Sequence, residues 1–384
     1  MYGYDSDQLQ LDDFPNSGVT FLVGPNGSGK TRLLRRIALH RSKRNHATRI
    51  ICNTPFDRYA GIRGSVVRLS ARSGASQPVE VLKKAILAAH KDKHSSVGRL
   101  RSILEYSGYE SAIEVHPVGV DSNRIRHVGT TAFDLGMGPE FDRIDAIAHY
   151  ILQRPKSSDW VHLDGDFGKH VFSGATLDML RWESLLKRAR FIKRIDLKLV
   201  RKHDGMVIPM KDGSSGELTL IATLAFLITH MDHECSILID EPENSLHPAW
   251  QRSYIDRILA VTSLWRPEII VATHSPLIVS GAQALDSVMT RVYRVDEAET
   301  RRVKVDGEGM EETLWDLFDT ITPSNHFLSI KLVGIINDVK RHRGYRETAL
   351  HEIARLEEAS YSHDQLRLFQ AARNLIHQLA EGRE

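Results

Sequence analysis

The sequence predicts an α/β fold: two lobes with short buried strands, a helical insertion between them and a helical carboxyl-terminal region. Three observations carry that expectation. Apolar, β-rich runs at residues 19–23, 236–239 and 268–273 each stop at a polar turn, as buried strands do. One of those turns, Gly24-Pro25-Asn26-Gly27-Ser28-Gly29-Lys30-Thr31, gathers three glycines between a strand and a helix. From residue 77 to 194, and again beyond Met310, the apolar spacing changes to the helical period.

Composition sets the outer bounds. With 384 residues, 41% hydrophobic and 26% charged, the chain can bury a sizeable core as one large domain or two to three smaller ones. Lys and Arg number 51 against 49 Asp and Glu, so no whole-molecule field draws in nucleic acid or membrane, and any such attraction is local. Cys52 and Cys235 lie in or beside strand-like runs, which points to buried thiols in a reducing cytosol rather than to disulfides or zinc. No stretch of about 18 apolar residues occurs. The first twenty residues hold Asp5, Asp7, Asp12 and Asp13 rather than a basic start and apolar centre, so a cytoplasmic chain with no membrane partner is expected.

The first strand, 19–23, feeds the glycine turn, and Leu33, Leu34, Ile37 and Ala38 then share one face of a helix. The turn fits G-x-x-x-x-G-K-[ST] through Gly24, Gly29, Lys30 and Thr31. A glycine-rich strand-to-helix turn lets successive backbone N–H groups point inward, so Asn26, Gly27, Ser28 and Gly29 are candidates to cradle phosphate oxygens. Lys30 would reach the β and γ phosphates and the Thr31 hydroxyl would ligate Mg²⁺.

The run Ser236-Ile237-Leu238-Ile239-Asp240-Glu241-Pro242 ends in two adjacent carboxylates, which would set Asp240 beside the metal and Glu241 one step on, where an attacking water is oriented. His274 follows the 268–273 strand directly and can bond a terminal phosphate or that water. Taken singly, an acidic turn or a strand-end histidine is ordinary. Ser214 and Glu217 have capping-box spacing before an apolar run, so a buried helix should present an exposed amino end there. An ordinary cap accounts for Ser214 and Glu217; the Ser214-Ser215-Gly216 cluster leaves a second anion site open beside it.

In chain order, GPNGSGKT, DGSSGE, ILIDEPENSLHP and VATHSP resemble the Walker A, signature, Walker B with D-loop, and H-loop motifs of ABC-type ATPases. The resemblance implies a P-loop ABC-type ATPase head that takes ATP and Mg²⁺. It also implies a homodimer, with each nucleotide between the phosphate loop of one copy and Ser215 and Gly216 of the other. Glu241 would then be the general base, His274 the switch, and Asn244 to His247 the D-loop at the seam. The Q-loop role is left unassigned: the first glutamine after the phosphate loop, Gln77, lies in a turn-like setting, Ala75-Ser76-Gln77-Pro78, rather than at a strand end. Within the superfamily, DEPENSLHPAWQ and ATHSPLIV resemble the non-transporter branch: RecF-like repair ATPases, the ATPase part of OLD nucleases, and Septu-type defence ATPases. The stretches Asn53 to Arg58, Leu314 to Phe318 and Ile321-Thr322-Pro323 are similar to the Septu-like group. The motifs cover mainly residues 15–75 and 195–300.

The expected organisation is an ATPase lobe at 1–76, a mainly helical insertion at 77–194, a second ATPase lobe at 195–306 and a helical region at 307–384. Alternation over 195–201, a His203-Asp204-Gly205 turn and Val207-Ile208 predict a hairpin. Two closing strands are expected at 288–295 and 301–305. In the last helix Leu368, Ala372, Leu375 and Leu379 share one face, with Phe369 and Ile376 on a neighbouring one; that face either packs onto its own domain, the leading expectation, or docks a partner protein. The pair Asp164 and Asp166 reads as a polar turn rather than a metal site. Basic clusters at 32–44, 187–194 and 340–346 are either solvated faces or contacts for nucleic-acid phosphates.

The leading function is a dimeric ATPase, with higher assembly left open, that gates a nucleic-acid-directed effector. That effector would be a separate nuclease subunit in phage defence, with DNA or RNA as further partners. The alternatives are a RecF-type repair ATPase, the ATP-binding subunit of a membrane transporter, and a metabolic P-loop kinase or GTPase.

Overall fold

The computed structural model describes residues 18–74, 76–91, 95–129, 141–153, 160–163, 174–286, 288–297, 299–303, 310–318, 325–341, 346–358 and 363–381. Asp5 to Asp13, Ala75, Asp164, Asp166, Lys304, Val305, Ile321 to Pro323 and Arg343, all used above, lie outside those residues.

Eleven strands are described: β1 (Gly18–Val23), β2 (Thr48–Cys52), β3 (Val66–Ser70), β4 (Tyr109–Val118), β5 (Trp160–His162), β6 (Arg194–Arg201), β7 (Val207–Pro209), β8 (Ser236–Asp240), β9 (Glu268–Thr273), β10 (Thr290–Asp296) and β11 (Glu299–Val303). Seven form one sheet in the order β11-β10-β1-β9-β8-β2-β3, parallel throughout except for the terminal β10–β11 pair. Parallel strands need crossovers that cover both faces, and the residues alternate accordingly. Phe21, Ile51, Ile239, Ile269 and Val271 enter the larger core on one face. Leu22, Ile50, Leu238, Ile270 and Ala272 face the other side, covered by Leu33, Leu34, Ile37 and Ala38 of helix Lys30–Lys43.

The second sheet is antiparallel, β5-β4-β6-β7. The predicted hairpin is β6–β7, with Leu199 opposite Ile208. β4 and β5 come from the segment expected to be mainly helical. β4 is covered along almost its whole length, so its burial lacks the period-2 alternation that marks a half-exposed strand. Glu114 interrupts its apolar run yet is buried, because Lys198 Nζ lies 3.2 Å from its carboxylate. Helix Ser215–His230 is buried on every side from Leu220 to Ile228, as its unbroken apolar run predicts, and helix Gln77–Lys91 packs along it.

The carboxyl-terminal helices Asn325–Arg341, Arg346–Glu358 and His363–Glu381 enclose a core of their own, centred on Leu328, Leu332, Ile353, Phe369 and Ile376. Helix Met310–Phe318 joins it to the rest: Trp315 enters this core and Leu317 the larger one. The last helix corrects the expected face. Its buried stripe is Gln365, Phe369, Ala372 and Ile376, while Leu375 is 41% exposed. Apolar residues occupy two adjacent stripes of that helix, and the one carrying the bulkiest ring, Phe369, is turned inward.

Candidate nucleotide site

Sheet register assembles the site. Val23 is paired with Thr273 across β1–β9, and Ala272 with Asp240 across β8–β9, so these strands end on neighbouring rungs of one edge. The residues that follow, Gly24 to Thr31, Glu241 and His274, are delivered to that edge. Open α/β sheets bind ligands there.

The turn after β1 needs its glycines. Gly24 has φ 150°, and a Cβ on it would stand 2.5 Å from the Val295 carbonyl oxygen. Gly29, at φ 101°, is the residue from which helix Lys30–Lys43 starts. Buried Lys30 sends its ammonium back across the turn to the carbonyls of Gly24 and Pro25, at 2.9 and 3.0 Å, and lies 3.3 Å from His274 Nδ1. Burial lowers its pKa, and Glu241, Glu243 and Asp240 oppose that shift. Next to it, the Thr31 hydroxyl donates to Asp240 Oδ1 at 3.0 Å.

Asp240 is fully buried, and its second oxygen, Oδ2, has no hydrogen-bond partner. Burial pushes its carboxyl up to about 6; hydrogen bonding from Thr31 and Tyr59 works against that shift, and Glu241 and Glu243 add repulsion. Glu241 takes a left-handed backbone, φ 49°, which its amide bond to the Ala272 carbonyl at 2.9 Å helps to hold. Its carboxylate accepts from Asn244 Nδ2 at 3.0 Å and stands 3.6 Å from His274 Nε2. His274 therefore bridges Lys30 and Glu241. Burial lowers its pKa and the Lys30 charge lowers it further.

Lys30, Thr31, Asp240, Glu241 and His274 are thus brought together. Ser215 is not among them: it opens its helix, exposed, with no hydrogen bond to the other five among the described residues. The capping box is present, Ser214 Oγ accepting from the Glu217 amide and Glu217 Oε2 from the Ser214 amide. Glu217 also accepts from Tyr109 Oη at 2.8 Å. Gly216 packs on the turn after Glu241: a Cβ there would meet the Ser245 carbonyl oxygen at 2.5 Å.

Three contributors escaped the sequence reading. Glu243 accepts from the Thr273 hydroxyl at 2.8 Å and from the His274 amide, so it fixes the histidine's backbone. Tyr59 is 1% exposed with its hydroxyl beside the Asp240 carboxylate, and burial followed by the Asp240 charge raises its pKa well above the ordinary value. Asn53 donates its amide to the Asp240 carbonyl at 3.2 Å. Glu243 stands two residues beyond Glu241, a spacing open to inspection; the other two reach the site only because β2 pairs with β8.

The residues present fit a magnesium ion. Mg²⁺ takes hard oxygen ligands and keeps several waters, and the Thr31 hydroxyl with the orphaned Asp240 oxygen offers such a set. Among the described residues no helix is long and apolar enough to cross a membrane.

A family model described as "AAA domain, putative AbiEii toxin, Type IV TA system" matches residues 87–280, half of the chain. That span holds Ser215, Asp240, Glu241 and His274; the phosphate loop precedes it. No curated protein matches. Two solved structures are similar over 76% of this chain and 90% of theirs. One is the Smc head domain with an extended coiled coil bound to the C-terminal domain of ScpA, from Pyrococcus furiosus, at 12% identity and a TM-score of 0.30. The other is the Smc head bound to the C-winged helix domain of ScpA, at 13% identity and a TM-score of 0.29. At those TM-scores neither adds to the fold described above. A parallel sheet ending in a phosphate loop agrees with the family match, and the chain belongs to this AAA family of P-loop ATPase domains.

Proposed function

We propose that this chain binds and hydrolyses ATP as an ABC-type dimer and regulates a nucleic-acid-directed effector, a separate nuclease subunit in anti-phage defence. In this reading residues 1–76 and 195–306 form the ATPase head, 77–194 an insertion and 307–384 a helical appendage. The observation that carries the ATPase reading is the meeting of Lys30, Thr31, Asp240, Glu241 and His274 at the ends of three neighbouring strands. The effector and the defence role draw on the motif resemblance to the RecF, OLD and Septu branch.

The chemistry follows from placement. Backbone amides of Asn26 to Gly29 receive phosphate oxygens, and Lys30 exchanges the Gly24 and Pro25 carbonyls for the β and γ phosphates. Thr31 and Asp240 hold Mg²⁺, which when bound neutralises charge on those phosphates. Glu241 orients the attacking water, with Asn244 fixing one carboxylate oxygen and the other turned toward His274, where the water would be held. His274, between Lys30 and Glu241, is placed to bond the terminal phosphate. The helix end at exposed Ser215, with buried Gly216 behind it, is left for the nucleotide of a second copy, an anion site at a helix terminus.

Glu241→Gln tests the reading. Turnover should fall by about 100-fold or more while ATP stays bound, and the ATP-loaded variant should run as a dimer in light scattering. Turnover at the wild-type rate would remove Glu241 from its role; retained ATP with a monomer would leave the ATPase and remove the dimer.

A further inference from the structure

A second charged feature shares no residue with the nucleotide site. Where β4 leaves the antiparallel sheet and β6 enters it, two loops stand side by side, tied by the Asp121 amide to the Phe191 carbonyl at 2.9 Å and the Lys193 amide to the Val118 carbonyl at 2.8 Å. Between them lies an open cleft of about 900 Å³, lined by Arg124, Lys187, Arg190 and Lys193 with Asp121 as its sole carboxylate.

The charge is arranged, not incidental. Gly119, at φ 70°, lets the Lys193 stem lie across the strand exit: a Cβ there would stand 2.6 and 2.7 Å from Lys193 Cγ and Cδ. Asp121 is engaged in capping, accepting from the Asn123 and Arg124 amides. Arg190 and Lys193 have no carboxylate within ion-pair distance among the described residues. Arg124 lies 3.8 Å from Asp121 and Lys187 3.7 Å from Glu183, so it is Arg190 and Lys193 that give the cleft a net positive field the near-neutral whole chain lacks.

We propose that this cleft binds the phosphodiester backbone of a nucleic acid. Its choice of polyanion rests on the nucleic-acid-directed role proposed above. All four cations are exposed, so each phosphate contact is weak alone and a ligand gains only by spanning several of them. A single phosphate would need convergent, buried donors. The cleft has no aromatic lining for stacked bases or for the anchors of a protein partner, so contact is to backbone and independent of sequence.

The test is fluorescence anisotropy of the full chain with a labelled 30-mer duplex across 0.05–0.3 M salt, comparing wild type with Arg190→Gln/Lys193→Gln. Each lost contact should cut affinity about fivefold at 0.15 M salt, so the double variant should bind about 25-fold more weakly, with a salt slope lower by about 2. Lys340→Gln/Arg341→Gln, in another basic cluster, should bind as wild type does. Glutamine keeps most of the Lys193 stem over Gly119, and unchanged thermal melting checks that the fold survives. The proposal is overturned if wild type binds no duplex, if the cleft variant keeps the wild-type slope, or if both variants weaken alike. It is overturned too if a polyglutamate peptide competes as well as duplex, or if only inorganic phosphate binds. ATP turnover of the wild type reads the ATPase role separately: a wild type that turns ATP over but binds no duplex sinks the cleft alone, and one that binds duplex but turns over no ATP sinks the ATPase reading alone.

Discussion

Asp240→Asn should make this protein more stable while disabling it. The carboxyl is fully buried and its pKa is raised from 3.8 to about 6. The native chain therefore holds that proton more tightly than the unfolded chain does, so stability from this group falls as pH rises from about 4 to 6 and then stays level. A shift of about two pKa units corresponds to about 3 kcal/mol of destabilisation at pH 7.5. Asparagine removes the charge but keeps an oxygen for the Thr31 hydroxyl, and its amide can face the buried Tyr59 hydroxyl. Urea denaturation followed by tryptophan fluorescence, without added Mg²⁺, should show a gain approaching 3 kcal/mol at pH 7.5. That gain should shrink to about 0.5 kcal/mol at pH 4, where the native aspartate is already neutral. Adding Mg²⁺ and ATP should then stabilise wild type and not the variant. A variant less stable at pH 7.5, or an equal gain at pH 4, would refute the argument that a buried, repelled carboxylate is what the site holds in tension.

Other outcomes follow from named contacts. Gly281→Ala should cost more than about 2 kcal/mol, because its Cβ would stand 1.9 Å from the Arg252 carbonyl oxygen and force two helices apart; an unchanged melting temperature would contradict that close approach. Glu243→Ala strands the His274 amide, so it should cost about 1–3 kcal/mol and lower kcat more than KM; a KM effect alone would detach Glu243 from His274. Phe369→Ala should lose about 3–5 kcal/mol from the carboxyl-terminal core, read as an earlier melting step, whereas Leu375→Ala should lose under about 1 kcal/mol. Equal losses would restore the face that the sequence favoured.

The strands β1, β8 and β9 were legible because each is an apolar run that stops at a polar turn, and Lys30, Thr31, Asp240, Glu241 and His274 were legible because each follows or ends such a run; β3, which carries Arg68 within five residues, was not. What the sequence hid was long-range. β4 hides its nature because burial on both faces erases alternation, and Glu114 within it looks like a surface residue until Lys198 is beside it. Tyr59 gives no local sign of its role; it nears Asp240 because β2 lies between β8 and β3. In the last helix two apolar stripes compete, and only the helices around it decide between Phe369 and Leu375.

The rungs on which Val23 meets Thr273 and Ala272 meets Asp240 make the sheet interior a ruler for the chemistry at its edge. Sliding β8 by one residue would turn Asp240 to the opposite face and draw its carboxylate away from Thr31, without touching any residue of the site. Loss of function should therefore also arise deep in the sheet, at positions such as Ile270 or Leu238, which touch no site residue's chemistry but whose packing keeps the strands in step.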